Sequence, residues 1–140
     1  MASASVAVDY SALARFRLEL RRFLHFSERA AHAAGIEPQQ HQLLLALKGL
    51  PTPPDPPTVG NLAAWLHIQH HSAVELVDRA VARGLVRRQP DPHDRRRVLV
   101  ELTPEGEALL ANLSQMHQQE LQSTAPALLE ALTRVLSVTR

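Results

Sequence analysis

The sequence predicts a mainly α fold, six helices carrying a small β-hairpin wing, and three observations predict it. Apolar residues recur at helical spacing at both ends of the chain, as Leu13, Phe16, Leu20, Phe23 and Leu24 and again as Leu128, Leu129, Leu132, Val135 and Leu136. Two short β-like runs, one opening at Leu85 and Val86 and the other spanning 97–102, bracket a polar tip that reads PDPHDRR. Seven arginines (79, 83, 87, 88, 95, 96, 97) crowd into nineteen residues with two acids, although the whole chain of 140 residues carries a net charge of +1. That uneven distribution points to an anionic partner for the hairpin; the alternative is a solvated charge run.

Composition bounds the rest. With 45% hydrophobic and 21% charged residues the chain supports one domain or two tightly packed subdomains. It has no apolar run near the ~18 residues of a membrane span and no signal-peptide pattern, so a cytoplasmic location and no membrane partner are expected. Zero cysteines exclude disulfides, thiolate metal ligation and thiol redox sensing. Five glycines, none in a phosphate-cradling loop, and no nucleophile elbow argue against an enzyme, and no cofactor is expected.

Residues 1–8 are small and patternless and are expected to fray. An amphipathic helix then runs from Asp9 to about Ala34, with Arg15, Glu19, Arg22 and Arg29 on its polar side and Gly35 closing it. Pro38 suits the first turn of a second helix, whose Leu43, Leu44 and Leu47 supply a buried face before Gly49. The segment 51–57 holds five prolines and forms a stiff connector. Thr58 caps a short third helix with Leu62, Ala63 and Leu66 inward; a turn near Ile68 and Gln69 follows, and a fourth helix covers 70–83 and stops at Gly84. Two short helices with a tight turn form a helix-turn-helix. On the second, the 100° step sets Ala73, Leu76, Val77, Ala80 and Val81 inward and His71, Glu75, Asp78, Arg79 and Ala82 outward, with Ser72 and Val74 at the flanks. After the hairpin, Thr103 caps a fifth helix from Pro104, and Pro126 opens a sixth. The terminal helices carry apolar stripes larger than the central module can cover, which predicts that they pack together across a two-fold axis.

The run GLVRR followed by DPHDRRRVLVELTPEG resembles the signature of the MarR family of winged helix-turn-helix regulators, above all in Asp94, Arg96, Leu102, Thr103 and Gly106. The N-terminal helices match by pattern alone. The resemblance implies a homodimer that binds double-stranded DNA at pseudo-palindromic promoter sites, a transcriptional regulator of repressor type released by a small-molecule effector. Residues 1–35 and 104–140 would be the dimerisation helices and 36–103 the DNA-binding lobe. It also gives Arg96 the minor-groove contact and Asp94 the task of orienting a neighbouring arginine.

The residues support those roles on their own chemistry. An arginine on a narrow hairpin tip fits a groove about 6 Å wide, which favours Arg96, while Arg87, Arg88, Arg95 and Arg97 suit phosphates. Base edges fall to the outer face of the fourth helix and its approach: Gln69, His70, His71, Ser72, Val74, Glu75 and Arg79. The two histidines can donate to phosphate or guanine, or simply be solvent-exposed. Glu75 departs from the small or basic residue the resemblance leads one to expect, and must accept from a cytosine amino group or be neutralised by Arg79 one turn on.

A ligand pocket is expected between the first helix and the lobe, lined by Phe16, Phe23, Phe26, His41 and Trp65; the alternative is that these aromatics are core. A zinc- or manganese-responsive variant would draw on His25, Glu28 and His32 with His41 and His117, against scattered surface histidines as the plainer reading, and no metal site is assigned. An effector-independent DNA-binding or interaction protein is the remaining alternative.

Overall fold

The computed structural model describes residues 7–50 and 56–137. Among them lie five helices and a two-stranded antiparallel sheet, in the order α1 (Tyr10–Ala33), α2 (Pro38–Gly49), α3 (Val59–Leu66), α4 (His70–Ala82), β1 (Val86–Pro90), β2 (Val98–Leu102) and α5 (Pro104–Leu136). The mainly helical class with a hairpin is as predicted, but the expected fifth and sixth helices are one continuous helix that runs through Pro126. An internal proline removes the hydrogen bond to the carbonyl four residues back. Here both Pro126 and Gln122 are exposed, so water can reach the carbonyl left over, and Thr124 Oγ1 donates to the Glu120 carbonyl at 2.9 Å beside the break. The predicted fraying at 1–6 and most of the proline connector, 51–55, lie outside the described residues.

Local chemistry sets the element ends. Gly35, at φ +81°, turns the chain out of α1 while the Ile36 N–H donates back to the Ala31 carbonyl at 3.1 Å. Pro38 opens α2, and Gln40 Oε1 accepts the Glu37 N–H at 2.9 Å. Thr58 and Asn61 form a reciprocal capping box on α3. Gly84, at φ +73°, ends α4 in the same manner as Gly35 ends α1. Thr103 ties the hairpin to α5: its hydroxyl donates to the Gly84 carbonyl at 2.6 Å and accepts the Gly106 N–H at 3.1 Å. Gly106 is needed there because a Cβ would sit 2.0 Å from the Leu85 carbonyl oxygen.

The chain divides into two compact units, 31–114 and 1–30 with 115–140. The first has a continuous core in which Leu43, Leu44, Leu62, Leu76, Val77, Val86, Val100 and Leu113 are fully buried. Leu99 is buried as well, which simple alternation along β2 would not give. Pro57 and Thr58 pair along the edge of β2 away from β1, Thr58 bridging Leu99 and the Val100 N–H donating to the Pro57 carbonyl at 2.9 Å. Val98 is exposed. In α4 the inward set is Ala73, Leu76, Val77 and Ala80; Val81, expected with them, is exposed, because in the last turn the buried stripe has rotated past it.

The second unit pairs the larger part of α1 with the C-terminal part of α5. Asp9 accepts the Ala12 N–H at 2.9 Å and meets Arg134 at 3.1 Å, and His117 Nε2 lies 2.8 Å from Ser27 Oγ with Phe23 and Phe26 edge-on to its ring. Tyr10, Leu13, Leu18, Leu24, Leu129, Leu132 and Leu136 remain exposed. Among the described residues no helix is long and apolar enough to cross a membrane.

Candidate nucleic-acid interface

The turn between α3 and α4 is made by His67, which adopts the left-handed conformation at φ 56° as the C-cap of α3. That conformation costs a non-glycine residue on the order of 1 kcal/mol, and the sequence reading, which placed the turn at Ile68 and Gln69, had no glycine or asparagine to mark it. The turn delivers the start of α4 to the surface. Gln69, His70, His71 and Glu75 are exposed there, with Ser72 and Val74 half-buried between them and the core-facing residues.

The wing is organised by two acids. Asp94 Oδ1 accepts the Arg96 N–H at 3.0 Å and lies 3.4 Å from Arg96 Nε, so it shapes the turn and aims the arginine. Asp91, at the start of the loop, is almost fully buried. It accepts the His93 N–H at 2.8 Å, lies 3.8 Å from Arg97 Nε, and closes the tip through its own N–H to the Arg97 carbonyl at 3.1 Å. Its signal was the Asp-Pro at the loop's start, a common turn opening. The Arg96 side chain is 92% exposed at the end of this framework.

Beneath the strands the arginines are less free than the linear count suggests. Arg87 pairs with Glu101, its cross-strand neighbour, at 2.6 Å, and Arg88 pairs with Asp78 of α4. Arg79 does not neutralise Glu75, as one of the expectations had it. It turns to Glu37 at the start of α2, 3.3 Å away, because the outer face of α4 rotates towards α2 over that last turn. Glu37, Asp78 and Glu101 all lie outside the nineteen-residue stretch, so the excess of seven cations over two acids is a property of the segment and not of the surface.

A cleft of about 440 Å³ opens between α4 and the wing. It brings together His70 and Val74 of α4 with Arg88, Arg96 and Arg97 of the hairpin, and adds Thr58, Val59 and Gly60 at the start of α3, which the sequence reading had not included. Arg79 is among the residues it does not include. Arg95 is exposed on the tip. The lining is positive and open, which suits phosphate and groove contacts.

The aromatic set expected to line a ligand pocket divides between the two units: Phe16, Phe23 and Phe26 are half-buried on α1, whereas His41 is buried in α2 and Trp65 is exposed on α3. His25, Glu28 and His32 are exposed along α1, and among the described residues no three histidines or carboxylates come close enough to hold a metal ion.

Comparison with known proteins follows the same outline. The MarR family model matches residues 34–97, the span from the α1–α2 turn through the wing tip. The transcriptional activatory protein BadR of Rhodopseudomonas palustris is 33% identical over 125 residues, covering 82% of this chain and 71% of BadR. YsmB of Bacillus subtilis, an uncharacterized HTH-type transcriptional regulator, is 34% identical over 65 residues, 46% of this chain and only 44% of its own length. In structure, a mutant of S. aureus MepR bound to an oligodeoxyribonucleotide superposes with a TM-score of 0.69 at 20% identity, covering 94% of this chain and 98% of MepR, which shows the shared fold. With the lobe matched by the family model and most of the chain aligned to a curated regulator, this protein belongs to the MarR family.

Proposed function

We propose that the protein is a homodimeric, sequence-specific DNA-binding transcriptional regulator, a cytoplasmic repressor-type protein without enzymatic activity that a small-molecule effector releases from pseudo-palindromic promoter sites. The observation that carries this reading is the cleft where His70, Val74, Arg88, Arg96 and Arg97 converge on one surface from helix and wing. In it the start of α4, from Gln69 to Glu75, enters the major groove, where base edges are distinguishable, and Arg96, held by Asp94, enters the adjacent minor groove. Arg88, Arg95 and Arg97 meet phosphates, and Arg87 adds charge behind them. Arg79 is left out of the contact set because it lies outside the wing cleft, beside Glu37. The helical segments 1–35 and 104–140 supply the dimer, which sets the spacing of the two α4 helices, and 36–103 supplies the DNA contacts. Support for the dimer is the exposed apolar surface of Leu13, Leu24, Leu129, Leu132 and Leu136. The relatives named as regulators support the activity.

The test is a titration of the purified protein onto its own upstream DNA and onto scrambled DNA across a salt series. Preferential binding whose log affinity falls with log salt by about 0.9 per phosphate neutralised is expected; equal affinity for both sequences, or none at low salt, overturns the reading. Arg96→Ala should weaken specific binding at least about tenfold with the dimer and its melting temperature unchanged.

A further inference from the structure

The base-reading stretch from Gln69 to Glu75 holds a single acid, Glu75 itself. At ~100° per residue its side chain leaves α4 about 30° from the direction opposite the buried set Ala73, Leu76, Val77 and Ala80. His71, one turn earlier, shares that outermost direction. Glu75 lies about 7.5 Å along the axis from His70, within the first two turns of the helix. A helix laid in a groove about 12 Å wide turns this face to the groove floor and its flanks to the phosphate walls.

The Glu75 carboxylate is exposed and, among the described residues, has neither a hydrogen bond nor an ion pair. The cation one turn on, Arg79, is turned to Glu37 at 3.3 Å, and Arg88 of the wing is turned to Asp78. His71 forms no ion pair with it. An unpaired carboxylate brought between two rows of phosphates is repelled by both, so in the groove it needs a donor. The major-groove floor has two, the N4 amino group of cytosine and the N6 amino group of adenine. Adenine sets its acceptor N7 beside the amino group, where the second carboxylate oxygen would meet a like partial charge. Guanine presents the acceptors N7 and O6, and thymine presents O4 and a methyl group. Cytosine alone offers a donor with no acceptor of its own beside it.

We infer that Glu75 is a specificity-determining residue that accepts a hydrogen bond from the N4 amino group of a cytosine, one in each half-site of the operator. The inference rests on the DNA-binding reading above. At a site with another base in that position the carboxylate gives up water without gaining a donor, so Glu75 acts chiefly by rejecting wrong sequences. Its repulsion by phosphates also lowers the affinity for DNA at large that the wing arginines supply.

The experiment is selection of bound duplexes from a randomised pool by the full chain and by its Glu75→Gln and Glu75→Ala variants at one salt concentration, followed by titration of the selected site. The parent should enrich a two-fold symmetric motif with one C·G pair in each half that Glu75→Ala no longer prefers. Glu75→Gln should put adenine in place of that cytosine, because a glutamine amide matches adenine N6 and N7, and should keep the remaining positions. Replacing the cytosine should weaken the parent about tenfold per half-site and leave Glu75→Ala unaffected. Glu75→Ala should also bind scrambled DNA more tightly than the parent, a gain that loss of folding cannot produce. A parental motif kept intact by both variants, a loss spread evenly over all positions, or a Glu75-dependent pair that is A·T in the parent overturns the inference and leaves the regulator standing. Failure of the parent to enrich any motif sinks the regulator and this inference together.

Discussion

The lobe and the helical unit are built from the same kinds of residue and solve their packing differently. In the lobe, side chains from three helices and both strands close on one another until Leu43, Leu44, Leu62, Leu76 and Val100 lose all contact with water. In the helical unit the buried residues are small or polar, among them Ala12, Glu19, Ser27, Ala30 and Ala131, while Tyr10, Leu129 and Leu136 stand out in solvent at 77%, 61% and 73% exposure. A segment that keeps leucines wet while burying alanine and serine is shaped for another surface. The lobe carries its core within itself, whereas the helical unit leaves leucines open that the proposed homodimer would cover.

Four measurements would break or sharpen that contrast, beginning with the largest effect. Gly106→Ala pushes a methyl group into the Leu85 carbonyl at the junction of hairpin and α5, and a self-sufficient lobe cannot yield there cheaply; a loss of about 3 kcal/mol in chemical denaturation is expected, and a neutral result would mean the lobe is softer than its geometry implies. The double variant Leu129→Glu with Leu136→Glu should act on association instead. At about 1.5 kcal/mol per leucine withdrawn from an interface, the dimer should weaken at least about 100-fold by analytical ultracentrifugation, with the monomer's circular dichroism retained. If the monomer unfolds, these leucines belong to an intramolecular core.

Thr58→Ala removes the α3 cap within the lobe and should cost about 1 kcal/mol, with DNA affinity falling no further than the stability loss explains. The smallest effect concerns Asp9 in the helical unit. The backbone N–H of Ala12, and after it the charge of Arg134, hold its carboxyl below the usual carboxylate range. A lowered value in the folded state contributes stability above the unfolded value, and that stability is lost as pH falls through the folded one. Asp9→Asn should therefore lower the melting temperature slightly at neutral pH, by less than Thr58→Ala, and match the parent in acid. A difference that persists in acid would assign the residue's role to its shape.

Much of this was legible because the deciding interactions are local. The Thr58 cap, the stops at Gly35 and Gly84, the inward set of α4 and the Asp94 turn that aims Arg96 all depend on residues within a few positions of one another. The miscounted helix has a physical cause too: Pro126 signals a break, but where proline and freed carbonyl both face water the cost is small enough for the helix to continue. The turn at His67 went unmarked because the helix-turn-helix imposes the left-handed conformation on a residue that does not itself favour it.

What the sequence by itself determined is the mainly helical class, the placement of the hairpin, the caps, and the concentration of arginine around the wing, since periodicity and turn chemistry act over a few residues. Only the tertiary structure decided which arginines are committed and to whom. Glu37, Asp78 and Glu101 reach Arg79, Arg88 and Arg87 from 42, 10 and 14 positions away, and Coulomb attraction follows distance in space, to which separation along the chain is no guide. The same folding step set α4 against the wing, so that His70 and Val74 share a cleft with Arg88, Arg96 and Arg97, a relation that α4's own thirteen residues could not show.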